Sequence, residues 1–265
     1  MKYTLGFIGC GNMGGALVQA AAKTLDGKTI AVCDYDKNKT SALEKACGVV
    51  TATATEIAQN ARFVVLGVKP QVMQNAIAAF AAEFRARKDV VIITMAAGLS
   101  IAAIRGFVGA DLPVIRIMPN TPVALGEGMV LYATAGVDDS AKMEFLNAFA
   151  KAGKLDELPE DKIDAASALS GCGPAFVYAF AEALADGAVE CGLPRDKAAL
   201  YSAQTLLGAA KMLLEYGHPG DLKDAVCSPG GTTIAGMHAL EKAGMRNAAM
   251  DAVTAAYTRT LELKK

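Results

Sequence analysis

The strongest constraint on the fold of this chain is a run of spaced glycines close to the N-terminus. Gly9, Gly11 and Gly14 have the spacing G-x-G-x-x-G and follow a short apolar run that ends at Ile8. In this pattern the first glycine permits a tight turn after a strand, and the second lets the backbone approach a pyrophosphate. The third lets the following helix lie close to the strand. The pattern therefore predicts a buried strand, a phosphate-binding loop and a helix, the first unit of a dinucleotide-binding fold.

The loop and the helix start are predicted to bind the cofactor phosphates. The N-terminus of a helix offers N–H groups without helical partners and the positive end of a dipole, both of which favour a bound anion. The residues predicted to form this part of the site are Gly9, Cys10, Gly11, Asn12, Met13 and Gly14.

An acidic residue follows the second predicted strand, Thr29 to Cys33. Asp34 comes where a dinucleotide-binding fold meets the adenosine ribose. A carboxylate there suits the free 2′-hydroxyl of NADH and repels the 2′-phosphate of NADPH, whereas the nearby Lys37 and Lys39 could hold that phosphate. The alternative for Asp34 is a turn residue in Asp34-Tyr35-Asp36. The sequence thus leaves the choice between NADPH and NADH open.

Strands and helices alternate over the first 158 residues, which predicts a doubly wound parallel sheet that could include an antiparallel edge. The runs that read as its further strands are Arg62–Val68, Asp89–Met95, Pro113–Met118, Gly128–Ala133 and Lys154–Leu158. A helix is predicted from Ser140 to Ala150, and helical spacing continues from Met73 to Phe84.

Two polar turns are predicted at the carboxyl edge of this sheet, where open α/β sheets bind ligands. Val68, Lys69 and Pro70 form the first turn, for which an ordinary surface lysine is the alternative at Lys69. Asn120 lies in the second turn, between two prolines that stiffen the loop. A stiff loop is useful where amide groups must be held beside a ring.

From residue 159 onward the chain reads as helical, so we predict a dinucleotide-binding domain over 1–158 and a helical domain over 159–265. Two glycine-rich segments interrupt the helices, Ser170–Phe176 and Val226–Thr233, and each leads into a further helix. Helix starts with glycines and hydroxyls suit a carboxylate or phosphate. The alternative for each segment is a glycine turn before a capped helix.

The composition of the chain argues against several classes of function. Apolar residues make up 53% of the 265 residues, and the 26 basic and 27 acidic residues give a net charge of −1. This balance argues against nucleic acid or a membrane surface held by charge. Six scattered cysteines and two histidines predict no metal site. Free thiols suit a cytoplasmic location. We find no signal-peptide pattern and no uninterrupted apolar run of transmembrane length.

The motifs together resemble those of the pyrroline-5-carboxylate reductase family. The resemblance covers essentially the whole chain and includes FIGCGNMG at Phe7–Gly14, the Val68-Lys69-Pro70 turn and MPNTP at Met118–Pro122. It continues with SGCGPAF at Ser170–Phe176 and CSPGGTTI at Cys227–Ile234. The resemblance implies an N-terminal Rossmann-type domain followed by an all-α dimerisation domain. It implies reduction of 1-pyrroline-5-carboxylate to L-proline, the last step of proline biosynthesis, with NADP(H) or NAD(H).

The resemblance also assigns roles at the second glycine-rich segment and to the assembly. Thr233 would hydrogen-bond the ring nitrogen of the substrate and is the one candidate catalytic residue. The substrate carboxylate would lie at the same helix start, on Ser228, Gly230, Gly231, Thr232 and Thr233. The Val68–Pro70 turn and Asn120 would border the nicotinamide. A homodimer is implied, with higher assemblies such as a decamer.

Two other functions compete with this reductase. A β-hydroxyacid dehydrogenase or ketopantoate-type reductase would share the layout but would need a lysine acid or base in the helical half. None of Lys197, Lys211 and Lys223 lies in a glycine-framed segment. A nucleotide-sensing regulator would not need a second anion pocket beyond the cofactor loop. No residue stands out as a general acid, so the proton donor to the imine stays open.

Overall fold

The computed structural model describes residues 2–263 of the chain. They form two compact units. The first contains the residues up to Cys172 together with those from Ala256, and the second is Gly173–Ala255.

The first unit contains a sheet flanked by helices. Its strands are β1 (Tyr3–Ile8), β2 (Ile30–Cys33), β3 (Val50–Thr51), β4 (Ala61–Leu66), β5 (Val91–Thr94), β6 (Val114–Pro119), β7 (Gly128–Ala135) and β8 (Gly153–Glu157). Its helices are α1 (Asn12–Ala21), α2 (Lys37–Cys47), α3 (Ala54–Asn60), α4 (Pro70–Ala78), α5 (Ala81–Arg85), α6 (Ile101–Val108), α7 (Asp139–Ala148) and α8 (Glu160–Ser170). Short 3-10 helices lie at Gly27–Thr29 and Thr121–Leu125.

The sheet order is β3-β2-β1-β4-β5-β6-β7-β8, and the pairs from β3 to β6 are parallel. The strand β7 runs antiparallel to β6, and β8 is parallel to β7. This confirms the doubly wound sheet and its antiparallel edge. The strand β3 and the helix α3 were not predicted, because a two-residue strand carries no readable alternation. The helical spacing from Met73 to Phe84 is divided between α4 and α5.

Apolar side chains cover both faces of the sheet, as expected where helices flank parallel strands. Leu5 and Phe7 of β1 are buried on one face, and Ile8 is buried on the other. The ring of Phe149 meets that of Phe7 edge to face at 6.5 Å, and Phe145 packs against Phe149 at 5.5 Å. The carboxyl ends of the parallel strands are thereby held at one edge by a rigid core.

A buried arginine in β6 holds α8 against the sheet. Arg116 is only 2% exposed, and its Nη2 atom lies 2.6 Å from Oδ1 of Asp164, which is equally buried. Its Nη1 atom lies 3.4 Å from Oε1 of Glu160. The same Glu160 oxygen accepts a hydrogen bond from the backbone N–H of Ile101 at 2.7 Å, at the start of α6. One guanidinium group therefore links β6 and α8, and Glu160 extends that link to α6.

The division of the chain into compact units differs from the predicted domain boundary. We predicted a boundary between residues 158 and 159, but the first compact unit continues to Cys172. The reason is α8, whose Ile163 is fully buried in the core of the sheet unit. The physical unit thus includes a helix that the sequence pattern places in the helical half.

The second unit is made of helices alone and buries few of its own side chains. Its elements are α9 (Gly173–Glu190), α10 (Arg195–Tyr216), α11 (Pro219–Ala225), α12 (Thr232–Lys242) and the start of α13 (Met245–Glu262). Among the described residues of this unit, the buried ones are Ala185, Ala198 and Ser202. The Ser202 hydroxyl donates to the carbonyl of Ala181 at 2.7 Å, which joins α10 to α9. The helix α11 was not predicted, because its seven residues show no apolar periodicity.

One stretch, from Glu160 to Glu190, contains a window long and apolar enough to cross a membrane by length and composition alone. The prediction found no such run, because glycines and charged residues interrupt it. Only 11% of the window is buried. The exposed apolar side chains of α9, such as Phe176, Val177 and Phe180, therefore form a face that a partner surface could cover.

We expect the Arg116→Met variant to lose roughly 3–5 kcal/mol of unfolding free energy, because it removes the guanidinium from a buried carboxylate. Urea unfolding followed by circular dichroism measures the loss. The exposed pair of Lys2 and Glu56 serves as the control, and Lys2→Met should leave the unfolding free energy nearly unchanged. Combining Arg116→Met with Asp164→Leu should recover much of the loss. Equal effects of Arg116→Met and Lys2→Met would contradict the assigned role.

Candidate functional site

Three backbone segments meet where β1 and β4 end. Gly9 has φ +99°, a left-handed conformation that favours glycine. A Cβ atom placed on Gly14 would lie 2.4 Å from the Gly9 carbonyl oxygen, and one on Gly67 would lie 2.3 Å from that same oxygen. The start of α1 and the end of β4 therefore approach the loop as closely as backbone atoms allow. This agrees with the turn and packing roles predicted for Gly9 and Gly14, and Gly67 was missed.

The middle glycine has open space where the other two have none. Gly11 precedes α1 in an extended conformation, and no atom lies within 4 Å of a Cβ placed on it. No side chain caps α1, so the first-turn amides of Asn12 and Met13 are not bonded to a capping side chain. The loop and helix border a groove of about 400 Å³. The remaining wall of this groove includes Lys39 of α2. The structure thus leaves the backbone at Gly11 open, and a pyrophosphate there stays a prediction.

Asp34 bonds to the protein itself. Its Oδ2 atom accepts a hydrogen bond from the backbone N–H of Cys10 at 2.6 Å, and its Oδ1 atom accepts one from the N–H of Asp36 at 2.9 Å. The second bond forms the Asp34-Tyr35-Asp36 turn that was the alternative interpretation of this residue. The first bond ties the glycine loop to the end of β2. The backbone N–H of Cys10, which was predicted to bind phosphate, is therefore hydrogen-bonded to this carboxylate.

The thiol of Cys10 is buried and unreactive. The side chain is buried, and burial raises its pKa to about 12. The Sγ atom lies 3.7 Å from the carbonyl oxygen of Cys33. A thiol of this kind stays protonated at neutral pH and is a poor nucleophile. Cys10 therefore contributes backbone and packing to the loop rather than covalent chemistry.

The two predicted polar turns lie at the carboxyl ends of β4 and β6. Lys69 immediately precedes α4, Pro70 is the first residue of that helix, and the lysine side chain is exposed. Asn120 directly follows β6 and uses both ends of its side-chain amide. Its Oδ1 atom accepts from the N–H of Met129 at 2.8 Å, and its Nδ2 atom donates to the carbonyl of Ser170 at 3.0 Å.

The second unit carries the predicted carboxylate site at the start of α12. Gly231 precedes this helix, and no side chain caps it. Gly230 has φ +67°, and a Cβ placed on Gly231 would lie 2.3 Å from the Ser228 hydroxyl oxygen. Thr232 and Thr233 are exposed in the first turn. The helix start therefore presents backbone amides and hydroxyl groups together, and only glycine fits beside Ser228.

The other glycine-rich segment leads into a helix, as predicted, and takes the form of a short turn. The helix α8 ends at Ser170, and α9 begins at Gly173 after a two-residue turn in which Gly171 keeps helical angles. It is therefore a junction between two helices rather than an open helix start. Within residues 2–263, no group of three or more His, Cys, Asp or Glu side chains is placed to hold a metal ion.

Comparison with known proteins identifies the family. Residues 160–263 match a family profile described as pyrroline-5-carboxylate reductase dimerisation, and residues 4–98 match one described as NADP oxidoreductase, coenzyme F420-dependent. The pyrroline-5-carboxylate reductase of Escherichia coli is 38% identical to this chain over the full length of both. This chain belongs to the pyrroline-5-carboxylate reductase family.

Other members of the pyrroline-5-carboxylate reductase family agree with this in sequence and structure. The pea (Pisum sativum) protein is 38% identical over 99% of this chain and 96% of its own. A Plasmodium falciparum pyrroline carboxylate reductase, solved with NADP bound, superposes over the whole of both chains with a TM-score of 0.88 at 30% identity. The helical half of the chain is the dimerisation domain of this family.

We expect Gly11→Ala to separate binding from folding. The structure leaves room for the methyl group, yet that group would occupy the space where a pyrophosphate approaches the backbone. The Kd for NADPH should rise by tenfold or more, since hydrogen bonds to a charged group contribute roughly 1.5–3 kcal/mol each. Fluorescence titration gives the Kd, and thermal unfolding should be unchanged.

Gly106→Ala is the matched control, because Gly106 also has no atom within 4 Å of an added Cβ and lies in α6 of the same unit. It should leave the NADPH Kd unchanged. Unaltered binding in Gly11→Ala would argue against a phosphate at this loop.

Proposed function

We propose that this protein reduces 1-pyrroline-5-carboxylate to L-proline with NADPH, the last step of proline biosynthesis. The observation that carries the proposal is the start of α12, where Gly230 and Gly231 leave an uncapped helix with Ser228 beside it. Such a start binds a carboxylate through backbone amides and the helix dipole. Membership of the pyrroline-5-carboxylate reductase family supplies the reaction class.

We propose that the cofactor phosphates bind at the glycine loop, on the amides of Gly11, Asn12 and Met13. Cys10 contributes its backbone to the same loop, which Gly9 and Gly14 shape. The residues Val68, Lys69 and Pro70, together with the loop at Asn120, border the nicotinamide. The support is positional, since these turns follow β4 and β6 at the carboxyl edge of the sheet.

NADPH is preferred over NADH in this proposal, and two observations support the preference. Both carboxylate oxygens of Asp34 accept backbone N–H groups, which offset part of the negative charge that would repel a 2′-phosphate. Lys39 lines the groove beside Gly11 and carries the positive charge that a 2′-phosphate requires. The P. falciparum relative was solved with NADP.

The substrate carboxylate would rest on the Ser228 hydroxyl and on the amides of Gly230, Gly231, Thr232 and Thr233. The Thr233 hydroxyl would hydrogen-bond the ring nitrogen and fix the orientation of the imine. When bound, NADPH supplies a hydride to the imine carbon while the nitrogen takes a proton, so the C=N bond becomes the C–N bond of proline. A protonated imine accepts hydride without covalent help, so orientation and exclusion of water supply most of the acceleration.

We further propose that the protein acts as a cytoplasmic homodimer that can assemble further, for example into a decamer. The exposed side chains of Leu200, Leu207 and Leu214 recur along one face of α10, a spacing typical of helices that pack against a partner. All six cysteines, each within the described residues, are free, which suits a reducing compartment.

The direct test of the substrate site is turnover of purified protein with 1-pyrroline-5-carboxylate and NADPH, followed by loss of the reduced-nicotinamide absorbance. Thr233→Ala should lower kcat/KM by roughly tenfold, the effect of one lost hydrogen bond to the reacting ring. Thr233→Ser keeps the hydroxyl and should retain most of the activity. The NADPH Kd should stay unchanged in both. Full activity of Thr233→Ala would remove this residue from the mechanism.

The cofactor preference has its own test. Lys39→Gln should raise the Kd for NADPH by about tenfold, since a charge-assisted bond to a phosphate is lost, and should change the Kd for NADH less than about twofold. Lys45→Gln makes the same charge change near the end of α2, outside the residues that line the groove. It should leave both Kd values near those of the unaltered protein. Equal weakening of both cofactors by Lys39→Gln would contradict the assignment.

A further inference from the structure

Asn120 connects two motifs that are far apart in the sequence. Its Oδ1 atom accepts from the backbone N–H of Met129, and its Nδ2 atom donates to the carbonyl oxygen of Ser170. The residue is partly buried, and both functional ends of its amide are engaged within the first unit. Such a side chain fixes backbone positions rather than waiting for a ligand.

The bond to Met129 extends the sheet by one position. The antiparallel register of β6 and β7 ends with Pro119 opposite Val130. The next residues in that register are Asn120 and Met129, and there the Asn120 side chain takes the hydrogen bond that a strand backbone would make. The first residue of the loop after β6 is thereby held to β7.

The bond to Ser170 supplies a hydrogen-bond donor that the sequence of the helix cannot provide. In an α-helix the carbonyl of Ser170 would accept the N–H of the residue four positions later, which is Pro174. Proline has no N–H, so the helix itself cannot satisfy that carbonyl. Asn120 supplies the missing donor from outside the helix, at 3.0 Å. The proline in the SGCGPAF motif and the asparagine in the MPNTP motif are therefore complementary.

The middle of α8 is also bonded to β6, through an ion pair. Arg116, four residues before Asn120, pairs with the buried Asp164 in the middle of the helix. One strand and the loop that follows it thus hold α8 at two points, one ionic and one through the Asn120 amide. The second point fixes the end of α8 and the loop after β6 relative to each other.

We propose that Asn120 is a positioning residue, whose side chain locks the loop after β6 to the end of α8. This inference rests on the proposed function, in which that loop borders the nicotinamide. The side chain then contributes to turnover by holding the loop in place, and it contributes little to the affinity for NADPH.

Asn120→Asp tests this inference, because it keeps the acceptor for Met129 and replaces the donor to Ser170 with a carboxylate oxygen. At neutral pH its kcat should fall by about five- to tenfold, while the NADPH Kd stays within about twofold. The activity relative to unaltered protein should recover as pH is lowered from about 8 to about 5, because a protonated carboxyl group can donate to Ser170 again. Asn120→Ala should show no such recovery.

Asn60→Asp is the matched control. The Asn60 amide also donates to a helix carbonyl, that of Glu56 at 3.0 Å, but it precedes β4 at the opposite edge of the sheet. Its kcat should equal that of the unaltered protein. Three results for Asn120→Asp would each overturn the inference. They are an activity relative to the unaltered protein that does not change with pH, a kcat no lower than that of Asn60→Asp, and a large rise in the NADPH Kd.

Hydrogen exchange separates this inference from the proposed function. The Met129 amide should stay protected in Asn120→Asp and lose protection in Asn120→Ala, whatever the protein reduces. An unaltered protein that fails to turn over 1-pyrroline-5-carboxylate would overturn the proposed function alone. Equal protection of Met129 in all three proteins would overturn the positioning role alone.

Discussion

The approach of three backbone segments at Gly9 sets the geometry of the cofactor half of the site. Side chains on Gly14 or Gly67 would collide with the Gly9 carbonyl oxygen, so neither α1 nor the end of β4 could take its present position with any other residue. The position of α1 in turn decides where its uncapped first turn points. The carboxylate of Asp34 adds a second restraint by holding the Cys10 amide. The proposed phosphate-binding surface is thus formed by backbone that packing has already fixed.

Polar groups inside the first unit serve a comparable purpose on the other side of the sheet. Arg116 is costly to bury, and the surrounding carboxylates make its burial tolerable only in one arrangement of β6 and α8. Asn120 then satisfies a carbonyl that Pro174 cannot. Both groups hold α8 and the loop after β6 in defined positions, which suits a reaction whose rate depends on holding two small molecules in the right orientation.

The sequence predicts the parts of the structure that depend on local pattern. The strand, glycine loop and helix at the N-terminus follow from spacing alone, and so do the main strands and the long helices. The glycine-framed start of α12 was also predicted correctly, because Gly230 and Gly231 must precede a helix there.

The sequence does not predict pairings between distant residues. An arginine within an apolar strand signals a buried acidic partner, but nothing in the pattern selects Asp164, which lies 48 residues later. Asp34 could turn toward a ligand or toward the loop, and only the three-dimensional position of the Cys10 amide decides between them. The extent of the first compact unit could not be predicted for the same reason, since the packing of α8 depends on Ile163 meeting the sheet.

The proposed function depends on direct hydride transfer from NADPH to a cyclic imine. The most direct measurement uses NADPH carrying deuterium at the transferred position of the nicotinamide, with 1-pyrroline-5-carboxylate as substrate and mass spectrometry of the product. The expected product is proline with a single deuterium on the carbon that was part of the C=N bond. Proline without deuterium, or oxidation of NADPH without proline, would contradict it.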